Sequence, residues 1–511
     1  MRSESIARIP CGLAEWLAAG ILEGVNACRV SPIVIGRADE LAALQQSLAA
    51  VRRGEPAAVL LGGETGVGKT RLVTEFADQL AGSARTLIGG CLELGPIGLP
   101  FAPFTAVLGQ LVRDLGAGEV RALLAGRPSG ELGRLLPELA DPAGQGDEAH
   151  QGEARARLFE QVLGLLERLV QTSPVALIIE DAHWADRSTR DLLTFLMANL
   201  PDLRGLLIVV TFRSDELTRT HPLRPLLAEL DRISWVVRTE LPRLTRLEAA
   251  EQMAAILGHE PVESRVDAVF RRSEGNPLFV EHLLGGGTGV PATLRDLMLA
   301  SVQRLPEQTG ELLRVASASD TWMGHALLAR VTGLDDDELS RALRPAVAAS
   351  VLLAEAGGYR FRHALIREVL HSDLLPGEHG RLHARFAKAI AADPTLVPAG
   401  RAPISLAYHW YSAHDLTWAL ISAWRAAAEA GTVLAYSEQL GMLTRVLELW
   451  DRVSDAAQRI GADHVTVLAT AAEVAELSGE SERGVAFASA ALREVDANAT
   501  PARAALLLDQ R

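Results

Sequence analysis

Apolar positions follow two rhythms in the first half of the chain and one rhythm in the second. Short apolar runs at Ala57–Leu61, Val175–Ile179 and Gly205–Thr211 read as buried strands, and Arg85–Cys91 and Ser234–Glu240 read as two more strands. Between them, stretches of helical period run over Leu41–Val51, Arg71–Leu80, Val107–Leu139 and Ser188–Leu200, with another ending at Val170. Gly126-Arg127-Pro128 breaks the third of these. Leu94–Phe104 is punctuated as a loop, and Asp141–Gly152 is a polar gap. Strands alternating with helices of crossover length predict a parallel α/β sheet with helices on both faces.

Past residue 240 the strand rhythm gives way. Leu244–Leu257 and Val262–Ser273 predict a helical lid, broken at Gly275-Asn276-Pro277, and Leu283–Pro291 reads as a linker. Helices follow at Leu294–Arg304, Gly310–Ala318, Met323–Thr332 and Asp336–Ala348. Val351–Glu355 and Tyr359–Arg362 then pair across Gly357-Gly358 as a hairpin, and a helix starts at His363. A helical cluster followed by a hairpin predicts a winged helix. From Leu382 the pattern is helical and alanine-rich: Arg385–Ala392, Ile404–Tyr411, Leu416–Ala430, Ser437–Trp450, Val465–Leu477 and Glu482–Val495. Their spacing predicts α-helical, tetratricopeptide-like repeats, left unfinished at Arg511 and so expected to be truncated.

Composition narrows the field little. The 511 residues are 48% hydrophobic and 22% charged, and the net charge of −14 argues against a chain devoted to DNA or anionic lipid. Cys11, Cys28 and Cys91 have neither zinc-ligand nor disulfide spacing, which suits a reducing cytoplasm. No apolar run is long enough to span a membrane, so no membrane partner is expected.

The chemistry concentrates after the first strand. Gly63-Glu64-Thr65-Gly66-Val67-Gly68-Lys69-Thr70 fits the phosphate-binding loop, followed by Arg71 at the head of a helix. Glycines let backbone N–H groups converge on phosphate oxygens, and the helix N-terminus adds partial positive charge. Lys69 and Lys388 are the two lysines among 50 basic residues, so a lysine kept here fits a need for a compact ammonium. ATP or ADP with Mg²⁺ is the expected cofactor. Lys69 would reach the outer phosphates and Thr70 would ligate Mg²⁺. Glu180 and Asp181 close the third strand, where one carboxylate serves Mg²⁺ and the other orients water; the order Glu-Asp leaves that division open. Arg213, at the tip of the next strand, is a candidate γ-phosphate sensor, with a surface ion pair as the alternative. His183 and Trp184 are read as packing the turn after the acids. The Ile35-Gly36-Arg37 box, shortly before the loop, is expected to pack near the adenine.

In this order the motifs resemble the STAND-class AAA-type ATPases, and among them the large LuxR-type transcriptional regulators of the maltose-regulator kind. The resemblance rests on Ile35-Gly36-Arg37, Gly63–Thr70 with Arg71-Leu72-Val73, Glu180–Asp186, Gly275-Asn276-Pro277 and Phe361–Glu368. It implies that Pro277 touches the adenine and that His363 reaches the β-phosphate in a closed ADP state. It also implies that the winged helix is an internal clamp, that the repeats sense a ligand or partner protein, and that the ATP state self-associates. The usual C-terminal helix-turn-helix has no counterpart after Trp450, so DNA is a partner only through a domain absent from this chain. The implied organisation is a leader at 1–30, a P-loop AAA-type ATPase domain at 31–242, a lid at 243–290, a winged helix at 291–378 and repeats at 379–511. The expected activity is a nucleotide switch with slow hydrolysis; the alternative is a non-hydrolysing scaffold that nucleotide stabilises.

Overall fold

The computed structural model describes residues 31–92, 98–124, 130–140, 151–285, 298–299, 302–319 and 322–495. The expected leader, the Gly126-Arg127-Pro128 break, most of the linker and of Leu294–Arg304, and the final stretch lie outside these residues. No described helix is long and apolar enough to cross a membrane.

Five strands form one parallel sheet: β1 (Ala57–Gly62), β2 (Arg85–Gly90), β3 (Val175–Glu180), β4 (Leu206–Thr211) and β5 (Val236–Glu240), in the order β2-β3-β4-β1-β5. β1 and β4 are buried along their whole length, as their unbroken apolar sequences require. Alternate residues feed two cores. Val59, Leu61, Ile178 and Val209 face Leu44 and Leu48 of helix α1 (Ala38–Arg52) and Leu72 and Phe76 of α2 (Lys69–Gln79). Leu60, Leu177, Ile208 and Val210 face α3 (Ala102–Leu115), α4 (Gln151–Val170) and α5 (Arg187–Asn199). The register sets Leu61 beside Thr211 and Ile179 beside Val210. The phosphate loop after β1 and the acids ending β3 therefore emerge at one sheet edge, with β4 between them.

The lid comprises α6 (Arg246–Leu257), α7 (Glu263–Ser273) and α8 (Pro277–Gly285), closed around Leu244, Met253, Val266 and Val280. Thr245 and Glu248 start α6 with a reciprocal capping box. Gly275 turns the chain between α7 and α8 at φ +78°, where an added Cβ would lie 2.0 Å from the Leu244 carbonyl oxygen. Gly275→Ala is therefore expected to cost on the order of 2 kcal/mol or more. Gly333→Ala, at the same φ but with nothing within 4 Å, is expected to cost about half that. Thermal unfolding of the two variants checks the difference.

The third unit contains α9 (Glu307–Ser317), β6 (Trp322–Gly324), α10 (His325–Thr332), α11 (Asp336–Ala348), β7 (Leu352–Glu355), β8 (Gly358–Phe361) and α12 (Ala364–Ser372). Its sheet order is β6-β8-β7, antiparallel, a winged-helix arrangement. Two sequence expectations need correction here. Met323 and Gly324 are not helical but form β6, because they pair with Tyr359 and Gly358 of the hairpin. The hairpin turn is Ala356-Gly357, and Gly358 already pairs with Glu355.

The repeats are stacked antiparallel helices: α13 (Pro376–Ala392), α14 (Ala402–Ser412), α15 (Leu416–Thr432), α16 (Tyr436–Trp450), α17 (His464–Leu477) and α18 (Ser481–Glu494). α13 spans the expected 378/379 boundary and sends Leu382, Phe386 and Ile390 into the winged-helix core. Ala423, Ala427, Tyr436, Leu440 and Leu443 continue the core beneath the main sheet, so the repeats are docked on the sheet domain.

Candidate nucleotide site

The loop after β1 is built as its sequence requires. Gly66 and Gly68 have φ of +79° and +105°, and a Cβ on Gly66 would meet Leu278 of the lid at 2.8 Å. Lys69 is buried; its Nζ donates to the carbonyls of Gly63 (2.6 Å) and Glu64 (2.9 Å). Burial pushes its ammonium down to about 8, against the pull of Asp181.

Arg37, expected beside a base, turns its guanidinium into the protein. It donates to Val67 O (3.0 Å) and Pro242 O (2.8 Å), bracing the loop against the end of β5. Gly36 lies against Glu248 and Leu244 of the lid. Arg71 donates to Ser31 O. Glu64 is held by Arg243 at 2.7 Å, and Arg243 also pairs with Glu274. The Thr65 N–H donates to Asp215 (3.3 Å), while its carbonyl accepts from Asn276 Nδ2 (2.9 Å). The Gly275-Asn276-Pro277 break is thus a clasp as well as a helix breaker. Pro277 is half-buried and its carbonyl accepts from Gln252 at 3.1 Å.

The acids lie opposite. Burial, then Asp181, push the Glu180 carboxyl up to about 7, with the Thr70 side chain acting the other way. Its Oε1 is buried without a partner. Asp181 adopts φ +54°, a left-handed conformation that costs a non-glycine residue about 1–2 kcal/mol. Its N–H donates to Thr211 Oγ1 at 3.0 Å, and burial raises its pKa. Thr70, Glu180 and Asp181 fit a Mg²⁺ site: a hydroxyl, a buried oxygen lacking a partner and a second carboxylate are the hard oxygen donors it requires. Were Mg²⁺ held there it would have to displace the Glu180 proton, and the metal requirement would then rise about tenfold per pH unit below pH ~7. Mg²⁺ titration of nucleotide binding between pH 6 and 8 checks the sign; a flat profile contradicts it.

Arg213 is no surface residue. It is buried, pairs with Glu216, and donates to Glu368 Oε1 of α12 at 3.0 Å. Its guanidinium lies over Trp184 at 4.6 Å. Burial opposes its charge, yet Glu368, Glu216 and Asp181 hold its pKa above the ordinary value. His183 lies tilted against Trp184, ring centroids 4.5 Å apart, and accepts the Arg213 backbone N–H on Nδ1 at 3.4 Å. Burial pushes His183 down to about 2, so it is neutral. The pair therefore cradles Arg213 rather than only packing a turn. His363 stands before α12 with its ring 6.3 Å from His282 of the lid. Burial, then His282 and Arg362, push it down to about 3. The groups bearing on its charge belong to the lid and the hairpin, not to the phosphate loop.

A second joint lies below. At the start of α5, Arg187 N–H and Ser188 N–H donate to Glu438 of α16 at 2.9 and 3.2 Å, and Arg187 pairs with Glu480. Beside it opens a cleft of about 340 Å³ lined by His183, Trp184, Arg190, Glu438 and Glu480. Sequence reasoning missed Asp215, Glu368, Glu438 and Asn276 as contacts. Each lies at least 150 positions from its partner, beyond any local pattern.

Residues 33–210 match the model of the AAA ATPase domain, a class of P-loop domain in which nucleotide and usually Mg²⁺ are bound. An uncharacterised protein of Rhizobium meliloti (strain 1021) is 25% identical over 430 residues, covering 73% of this chain and 39% of that protein. The chain thus spans about two fifths of the length of that curated relative. Among solved structures, the chain is similar to a Signal Transduction ATPase with Numerous Domains (STAND) protein with a tetratricopeptide repeat sensor from Pyrococcus horikoshii. That match has a TM-score of 0.45 at 12% identity over 95% of this chain and 80% of that one. A Walker-type ATPase of Pyrococcus abyssi (TM-score 0.31, 16% identity) covers 67% of this chain and 97% of its own. RuvB of Thermotoga maritima (TM-score 0.27, 19% identity) covers 64% and 92%.

Proposed function

We propose that this chain is a nucleotide-controlled signal-transduction ATPase, the switch and sensor portion of a cytoplasmic transcriptional regulator of the LuxR type. The observation that carries this reading is the Arg213–Glu368 pair. It ties the tip of β4, beside the nucleotide site, to the helix that follows the winged-helix hairpin. Lys69 and the loop N–H groups hold the phosphates, with Thr70, Glu180 and Asp181 around Mg²⁺. Bound nucleotide supplies the phosphoanhydride chemistry. One of the two carboxylates orients water, and Asp181, strained and level with Thr211, is the better placed. Glu368 keeps Arg213 turned away from the phosphates in the closed form; Arg213 leaves it to meet a γ-phosphate. The winged helix is then freed, and the repeats, docked through Glu438 and Arg187, pass on the state of their own ligand or partner.

Sedimentation with ADP and with ATP, alongside a turnover assay, tests this. Compact monomer with ADP, self-associated protein with ATP and slow phosphate release are expected. A particle indifferent to nucleotide, holding it without turnover, would instead make the domain a scaffold.

A further inference from the structure

Away from the nucleotide site, four histidines meet where the winged helix joins the repeats. His371 ends α12, His379 and His383 lie one turn apart on α13, and His409 reaches in from α14. The spacing His379-Gly380-Arg381-Leu382-His383 puts two imidazoles on one helix face, as in helical zinc motifs. We propose that His371, His379 and His383 form a zinc site, independent of the nucleotide reading.

One ring nitrogen from each of the three lies within 4.8 Å of the others. His371 Nε2 and His379 Nε2 are 3.2 Å apart. Two nitrogens on a tetrahedral zinc, each about 2.0–2.1 Å from the metal, stand ~3.3 Å apart, so this edge is already at ligating distance. His383 is wholly buried, and its Nε2 has no partner. A buried polar nitrogen left so costs about 1–3 kcal/mol, which packing alone does not return. Its other nitrogen, Nδ1, lies 2.8 Å from His409 Nδ1. When His383 Nδ1–H donates across that contact, Nε2 carries the lone pair a metal needs, and His409 fixes the ring.

The group contains no carboxylate, and the charge of Arg367 bears on His371. Such a site rejects Mg²⁺ and Ca²⁺, which want oxygen, and suits a borderline ion held by imidazole. His371 and His379 are half-buried, leaving the fourth position to water. His371 stands one turn beyond Glu368 on α12, so the metal would staple the helix that holds Arg213 to the repeats.

The test is titration of the nucleotide-free full chain with Zn²⁺ in excess Mg²⁺, which fills oxygen-ligand sites, with Co²⁺ absorption reporting tetrahedral geometry. One tight Zn²⁺ per chain is expected, weakened at least a hundredfold in His379→Ala and in His371→Gln. In His464→Ala, a histidine paired with Glu494 elsewhere, it should be unchanged. Thermal unfolding of the metal-free variants separates lost ligation from lost fold. No tight Zn²⁺, or one that survives both substitutions in folded protein, overturns the proposal.

Discussion

Lys69→Ala is expected to weaken ATP and ADP binding at least a hundredfold while leaving the fold intact. The ammonium is buried against two carbonyls of its own loop, and burial depresses its pKa, so the folded protein holds this charge at a cost. Removing it should therefore change stability by no more than about 1 kcal/mol. Phosphates lose far more, because a charge-assisted hydrogen bond in a partly dry site goes with it; a hundredfold is about 2.7 kcal/mol. Lys69→Arg should not rescue, since a planar fork does not fit where a point charge on a flexible stem sits among the glycines. Fluorescent-nucleotide titration beside thermal unfolding measures both halves.

Glu368→Ala is expected to accelerate nucleotide release by about ten- to a hundredfold. The Arg213–Glu368 contact is a half-buried, charge-assisted hydrogen bond, worth about 1.5–3 kcal/mol when its partner is not stranded. Arg213 is not stranded here, because Glu216 and the face of Trp184 still hold it. The loss therefore falls on the joint between the sheet domain and α12. Arg213→Ala and the double variant complete a cycle. If the contact is the latch, adding Glu368→Ala to Arg213→Ala changes the release rate little; independent, additive effects would detach the winged helix from nucleotide control.

Much of this architecture is legible from the chain alone, for a definite reason. Apolar runs such as Val175–Ile179 are one-dimensional signals, and each of the five expected strands appears in the sheet with ends shifted by a residue or two. The phosphate loop is likewise local, its glycines and Lys69 lying within a few positions. Four features carried no such signal. β6 is three residues long and exists only because β8 lies beside it. Arg37 follows a glycine at a helix start, where sequence favours an exposed or base-facing arginine; its carbonyl partners Val67 and Pro242 arrive from distant segments. Arg213 shows from sequence only that it follows a buried strand, whereas its partner Glu368 is 155 positions away. His383 reads as one histidine in an amphipathic helix until His371, His379 and His409 are seen around it.

The most direct single measurement is the nucleotide carried by the purified chain, released by denaturation and quantified beside Lys69→Ala. About one ADP per chain, exchangeable for ATP and missing from the variant, is the expected result. Protein that carries none and binds none when ATP and Mg²⁺ are added would contradict the nucleotide-switch reading at its root.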